Sequence, residues 1–435
     1  MSGMKYLILG IQWLVFMLAS ALVAPIAIAD LFGLDTLERA AFVQRTMFVL
    51  GGAGLLQVLF GHKFPINEGP AGLWWGVFVI YGGFIGSIYS SSSEVLQLLQ
   101  GGMIISGFIF LLLSFLGLIN KLKNLFTPTV TFVYLFLLIL QLSGPFLNGM
   151  LGIKGENGTV DLVIVSCSII IVGFTFYLVH HKVGLIKRYS VLIGMSVGWL
   201  LFYFVDKTEK VATSKSLIEF PDIFVWGLPK YDSGIIVTSL FITLLLITNM
   251  VASIRIMEDT IKGKNDSKRY TRGGFVSGIN QLLGGLFSAV GSVPISGAAG
   301  FVSATRIVSK IPFLIGAILI IIFSCIPFIM NFLASLPPAV GYSVTFVIFT
   351  QMLTMAFTEW SKEENRTLAY RVAGPALLAG MGVMFVSPQA TSGLPIVVSA
   401  MINNGLIIGT FIAIGVEQFS LRKKYKFLRK LHGLN

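Results

Sequence analysis

Residues 291 to 306, Gly-Ser-Val-Pro-Ile-Ser-Gly-Ala-Ala-Gly-Phe-Val-Ser-Ala-Thr-Arg, lie between apolar segments yet cannot form one continuous helix. Pro294 has no amide hydrogen, and Gly291, Gly297 and Gly300 weaken helical order. From about Gly297 the pattern returns to helix and ends at Arg306. The stretch therefore reads as extended backbone followed by a half-helix whose amino end lies deep in an apolar layer. Irregular backbone at membrane depth survives only where protein or a water-filled cavity covers it. Free amides and the positive end of a helix dipole at that depth can bind a small polar solute.

The rest of the chain supplies such a layer. It has 435 residues, 55% hydrophobic and 11% charged, with a mean hydropathy of +0.87. That balance excludes an ordinary soluble domain and predicts an integral membrane protein. Lys5 leads directly into an apolar run, which reads as a first span rather than a cleavable signal. Cys167 and Cys325 fall inside apolar segments and read as buried thiols. The net charge of +12 reflects short basic clusters between spans, not a nucleic-acid surface. No phosphate loop, dinucleotide fingerprint, zinc spacing or catalytic triad is present, so an enzyme is not expected.

Segments long enough to span, about 20 residues each, fall near 5–29, 40–60, 68–90, 97–119, 126–147, 160–180, 188–206, 234–256, 273–290, 292–308, 312–334, 338–358, 368–387 and 395–417. The basic clusters at Lys121 and Lys123, at Lys182 and Lys187, from Lys262 and Lys264 to Arg272, at Arg306 and Lys310, and at Lys362 to Arg371 each follow an even-numbered segment. By the positive-inside rule, both termini are cytoplasmic and the basic tail lies inside. The predicted division is a first repeat at 1–206 (segments 1–7), an extracellular loop at 207–233, a second repeat at 234–417 (segments 8–14) and a cytoplasmic tail at 418–435.

The third segment is broken like the tenth. Pro65, Gly69, Pro70 and Gly72 keep its start extended. Six extended residues from Lys63 cover roughly 20 Å, more than the ~15 Å half-thickness of the hydrocarbon core. Gly69 can thus reach the midplane, where the other break lies. Matching breaks seven segments apart predict two inverted repeats, and two extended stretches at one depth can pair as short antiparallel strands. The expected fold is an all-α polytopic membrane protein with 14 spans arranged as 7+7 inverted repeats.

With both breaks placed, the chain resembles the nucleobase–ascorbate transporter family, which includes the bacterial uracil and xanthine permeases. The likeness is carried by Gly10-Ile11-Gln12-Trp13, Lys63-Phe64-Pro65 with Gly69, and Trp226-Gly227-Leu228-Pro229. Gly278, Gly285, Gly300, Thr305-Arg306, Leu336-Pro337-Pro338 and Gly341 continue it. The resemblance implies a core and a gate domain and uptake of a purine, pyrimidine or related compound, usually with H+ or Na+. It implies a small-molecule nucleobase partner in a plasma-membrane protein, and it admits a homodimer. The family's usual acids in segments eight and ten correspond to Asn249 and Gly297 here, and their polar neighbours to Ser253 and Ala298. None of His62, His180, His181 and His432 falls within a span, so coupling through those family carboxylates is not available.

The residues themselves suggest a substrate site. Asn249 and Ser253, four apart, share one helical face, and an amide can both donate to and accept from a base edge. Their alternative is interhelical glue. Trp74 offers an aromatic face for a planar ring, against lipid or interface anchoring for the Trp74-Trp75 pair. Ser296 and Gly297, with Ala71 and Gly72, offer backbone contacts at the crossing, and Gln12 can reach the same cavity. Nearly all the other acids fall in predicted loops or at span ends, and ionisable groups inside the membrane are costly and usually functional; Glu68 is therefore the candidate proton-coupling group or a hydrogen-bonding acid for the solute, against a place in a cytoplasmic vestibule. Arg255 and Arg306 read as snorkelling heads. An anion transporter of the same fold and a non-transporting membrane sensor are the competing functions. No cofactor is expected beyond a coupling H+ or Na+.

Overall fold

The computed structural model describes residues 3–122, 125–153, 158–214, 216–262 and 266–431; Lys123, Lys264 and His432 lie outside them. The described residues form helices α1 (Gly3–Ala21), α2 (Val23–Leu31) and α3 (Thr36–Leu59), strand β1 (Glu68–Pro70), and helices α4 (Gly72–Gly82), α5 (Ser92–Phe115), α6 (Ile119–Leu122), α7 (Pro128–Met150), α8 (Leu162–Val179), α9 (Gly184–Arg188) and α10 (Ser190–Phe204). After a long connection come α11 (Ser233–Thr260), α12 (Ser267–Leu286), strand β2 (Ser292–Pro294), α13 (Gly297–Thr305), α14 (Lys310–Ser324) and α15 (Pro327–Ala334). The chain ends with α16 (Pro338–Ser361), α17 (Arg366–Val383), α18 (Pro388–Thr391), α19 (Ile396–Ile402) and α20 (Gly405–Leu431).

Seven described helical stretches are long and apolar enough to cross a membrane, and nine if each of two bent pairs is one span. Both bends escaped the sequence reading. Residues 312–334 and 395–417 read as single spans, but α14 meets α15 at 90° and α19 meets α20 at 82°. Pro327 at the start of α15 removes an amide that would continue α14. The third segment is shorter than expected. Its helix stops at Gly82, and 83–91 form turns with a bridge between Ile85 and Tyr89.

The helices pack as two groups that cut across the sequence order. In the first, α1, α3, α5, α11, α12, α14 and α15 pack on one another; in the second, α7, α8, α10, α16, α17 and α20 do so. The groups meet where α1 touches α10, and α2, α4 and α19 bridge them, α2 from α3 to α16, α4 from α5 to α7 and α19 from α11 to α20. Each group draws helices from both halves of the chain. At the end of the bundle where α3 begins, a cleft of ≈ 710 Å³ opens between them, lined by Asp30 and Thr36 on one side and Asp161, Asp206 and Lys207 on the other.

At the centre of the first group β1 and β2 pair antiparallel, with Glu68 opposite Pro294, Gly69 opposite Val293 and Pro70 opposite Ser292. The pairing extends outward through Ile295 N–H to Asn67 O (2.9 Å) and Ala71 N–H to Gly291 O (2.8 Å). A backbone polar group left unpaired in hydrocarbon costs several kcal/mol. Side chains therefore serve carbonyls of β2. Gln281 Nε2 donates to Ser292 O at 2.6 Å, and Ser253 Oγ donates to Pro294 O at 2.7 Å. The residues that prevent helix here also shape the pairing, since Pro70 and Pro294 have no amide to donate.

Candidate functional site

Two helices start at the ends of this strand pair. α4 begins after Ala71 and α13 after Ser296, and neither start carries a side-chain cap. The starts of α3, α5, α8 and α11, by contrast, are capped by Asp35, Ser91, Asp161 and Asp232. In the first turn of α13 the Ala298 and Ala299 amides turn back onto Ile295 O and Ser296 O, at 3.1 and 3.0 Å, so what its uncapped start offers another partner is chiefly the positive end of its dipole. At α13 there is room for one. A Cβ on Gly300 would meet nothing within 4 Å, and one on Gly297 would meet only Ile295, at 3.5 Å. Gly297 is exposed, Ser296 is half-buried and Ala298 is buried.

The structure brings most of the sequence-derived candidates to this crossing. α11 packs on β2 and α13. Ser253 is buried and committed to Pro294 O, so its hydroxyl fixes the strand. One turn earlier, Asn249 is half-buried and its side chain makes no hydrogen bond among the described residues. Ala71 is buried and donates into the pair, while Gly72 is half-buried with Leu138 3.9 Å from where its Cβ would be. Gln12 is half-buried on α1. Its neighbour Trp13 packs on Phe301 of α13, with ring centroids 4.5 Å apart, so α1 lies against the same half-helix.

Trp74 has a different setting from the open platform expected of it. Its indole is fully buried, Nε1–H donates to Gln281 Oε1 at 2.9 Å, and the ring fills the space left by Gly291. Through Gln281 it locks α4, α12 and β2 together. Trp75 faces the second group instead, edge-on to Phe146 of α7 at 5.1 Å and to Phe349 of α16 at 6.3 Å.

Glu68 is buried, and among the described residues no basic side chain pairs with it. Ser292 and Asn280 stand beside its carboxyl and present it with side-chain donors. The sequence reading missed Asn280 and Gln281. Two adjacent amides in the middle of an apolar segment were the available signal.

The end of α3 is held by a separate polar network. Gln57 Nε2 donates to Gly273 O and Ser277 Oγ, at 3.1 and 3.0 Å. Arg269 pairs with Glu258 at 3.2 Å and lies over the Phe64 ring at 3.8 Å. Beyond the end of α3, burial pushes His62 down to about 3, with Arg269 and Lys310 adding to the shift. The imidazole there is neutral and accepts Phe64 N–H at Nδ1.

The sequence matches the model of the Permease family over residues 4–389. Over 430 residues it is 41% identical to YwdJ of Bacillus subtilis (strain 168), provisionally named a purine permease, covering 97% of this chain and 98% of that one. The xanthine permease of the same organism is 25% identical over 420 residues, covering 94% and 92% of the two chains. Among solved structures, the transmembrane domain of the cyanobacterial bicarbonate transporter BicA superposes with a TM-score of 0.61 at 14% identity, covering 94% and 96%. At that identity the likeness is one of fold. A match over most of the chain, joined to a pair of broken helices crossing at its centre, makes this protein a member of the Permease family, the nucleobase–ascorbate transporters.

Proposed function

We propose that this protein is a secondary transporter that imports a purine or related nucleobase across the plasma membrane by alternating access. In this reading both termini are cytoplasmic and 14 spans form 7+7 inverted repeats. The first helix group is the core and the second the gate. The observation that carries the proposal is the crossing itself: β1 and β2 paired in the bundle, two uncapped helix starts beside them, and open space at Gly297 and Gly300. The solute lies against the start of α13. Its polar edge meets Asn249 and the backbone at Ser296, Gly297 and Ala298, while Ala71 and Gly72 border it from α4. Gln12 closes the site from α1. Ser253 and Trp74 position the strands rather than touch the solute, and Glu68 is the group through which an ion couples. Rocking of core against gate then exposes the site to either side.

The names of the relatives support a purine-type cargo. The experiment is thermal stabilisation of the purified protein by xanthine, guanine, uracil, sulfate and bicarbonate. A midpoint shift with xanthine or guanine and none with the anions is expected. The opposite pattern selects the second reading, an anion transporter, which the two uncapped helix starts favour on electrostatic grounds.

A further inference from the structure

The connection from α10 to α11 is shared between the two helix groups. Its far half is fixed to the first group. Gln44 of α3 donates to Glu219 O at 2.8 Å, and Glu219 N–H donates to Cys325 O, just past α14, at 2.9 Å. Phe224 N–H donates to Leu286 O of α12 at 2.9 Å, and Val225 N–H to Ser288 Oγ at 3.1 Å. Gln97 and Gln100 of α5 donate to the carbonyls of Trp226 and Gly227, at 2.6 and 2.9 Å. The Trp226 ring packs on Phe42 of α3, with centroids 5.4 Å apart. Residues 219–227, with the Trp-Gly pair of the sequence motif, are therefore a strap tied to α3, α5 and α12.

The near half is rooted on the second group. Lys207 N–H donates to Phe202 O of α10 at 3.0 Å, and Lys207 Nζ pairs with Asp161, the cap of α8, at 2.7 Å. Residues 206–210 all line the cleft between the groups. From this stretch Glu209 reaches across to the first group and pairs with Arg39 of α3 at 3.6 Å. Arg39 is the fourth residue of α3, at the end of a helix whose dipole disfavours a cation. An acid from the opposite group explains its place there. The two side chains are 11% and 29% exposed, so salt screens the pair only in part. Between the halves, the described residues of 211–218 form no helix or strand. The hydrogen bonds at Ser216, from its N–H to Ser214 Oγ and from its hydroxyl to Ile218 O, stay within the stretch. Eight extended residues reach about 26–29 Å, so the stretch leaves its two ends free to move apart.

We propose that residues 206–210 are a latch across the cleft, rooted on the second group at Asp161 and hooked to the first at Arg39. While Glu209 and Arg39 pair, the groups are held together at the end of the bundle where α3 begins. When the pair parts, the hook leaves with the second group, the strap stays with the first, and residues 211–218 take up the difference. The pair shifts the balance between closed and open cleft by about two- to fivefold, the worth of a partly exposed ion pair. The latch stands on these contacts; only the use of its opening in transport rests on the alternating-access reading.

The test is the rate at which a hydrophilic maleimide labels Ala339→Cys in the purified protein without solute. Ala339 lines the cleft and is buried, so its labelling reports how far the cleft opens. The parental chain, whose Cys167 and Cys325 are buried, supplies the blank. Adding Glu209→Gln is expected to speed labelling about two- to fivefold. Exchanging the charges, Arg39→Glu with Glu209→Arg, should return it to the rate seen with the native pair. Should the exchanged protein fail to fold, salt replaces it: about 1 M NaCl speeds labelling with the pair intact and leaves the Glu209→Gln rate unchanged. Glu209→Gln labelling at the rate of the intact pair overturns the inference, as does an exchanged pair that labels as fast as Glu209→Gln. Xanthine uptake that persists alongside such a result removes the latch and keeps the permease reading. A latch response in a protein that takes up no nucleobase keeps the latch and removes the nucleobase reading.

Discussion

Replacing Gly291 by alanine tests the reading that the crossing is a close-packed frame. A Cβ at that position would lie 2.6 Å from Trp74 Nε1 and 2.7 Å from Gln281 Oε1, and closer still to Trp74 Cδ1. Carbon atoms rest at about 3.5–4.0 Å, so the ring has to move by roughly 1 Å. It has nowhere to go, being fully buried and tied to Gln281, which is itself tied to Ser292 O. Forcing a methyl into a packed core costs about 1–3 kcal/mol. Pulling the indole N–H from its buried acceptor costs about another 1–3 kcal/mol. The expected loss is about 2–6 kcal/mol, read as a lower apparent unfolding midpoint in detergent at one fixed scan rate. Gly297→Ala is the control, because its Cβ meets only Ile295 at 3.5 Å. It should leave the midpoint unchanged while weakening nucleobase binding. A Gly291→Ala protein with the parental midpoint, or an equal drop in both variants, refutes the frame.

Asn249→Ala should raise the KM for a nucleobase by about 10- to 100-fold, the worth of one or two hydrogen bonds, at an unchanged midpoint, since the side-chain amide has no partner among the described residues; an unchanged KM removes it from the site. Ser253→Ala strips a side-chain donor from Pro294 O and should cost about 1–3 kcal/mol of stability, checked by the same midpoint measurement with uptake in parallel. His62 is held at about 3 against an ordinary 6.5, mainly by burial. Its contribution to stability is therefore complete above about pH 6.5 and is lost as pH falls toward 3, at up to about 1.4 kcal/mol per pH unit. His62→Gln should flatten the midpoint–pH curve between about pH 6 and 4, and an unaltered curve counts against a buried neutral imidazole.

Much of this architecture is legible in the chain. The prolines and glycines around Gly69 and Pro294 mark two helix breaks, and counting residues from Lys63 puts both at one depth, where they pair. Asn249 and Ser253 fall on the helix packed against that pair because four residues make one turn. The roles were less readable than the places. Trp74 and Trp75 are adjacent and chemically alike, and only the neighbours decide that one is pinned under Gly291 while the other faces Phe146. The 90° and 82° bends were hidden for a related reason, since hydropathy records how apolar a stretch is and not which way it turns.

Local chemistry alone determined that the chain lives in a membrane and that two of its segments cannot be continuous helix, because apolar run length and the missing amide of proline need no partner to act. What tertiary structure decided is which groups are left wanting. Whether Ser253 is bound or free, and whether Glu68 has a neighbour or a void, depends on residues 41 positions or more away along the chain and on how they pack around the crossing.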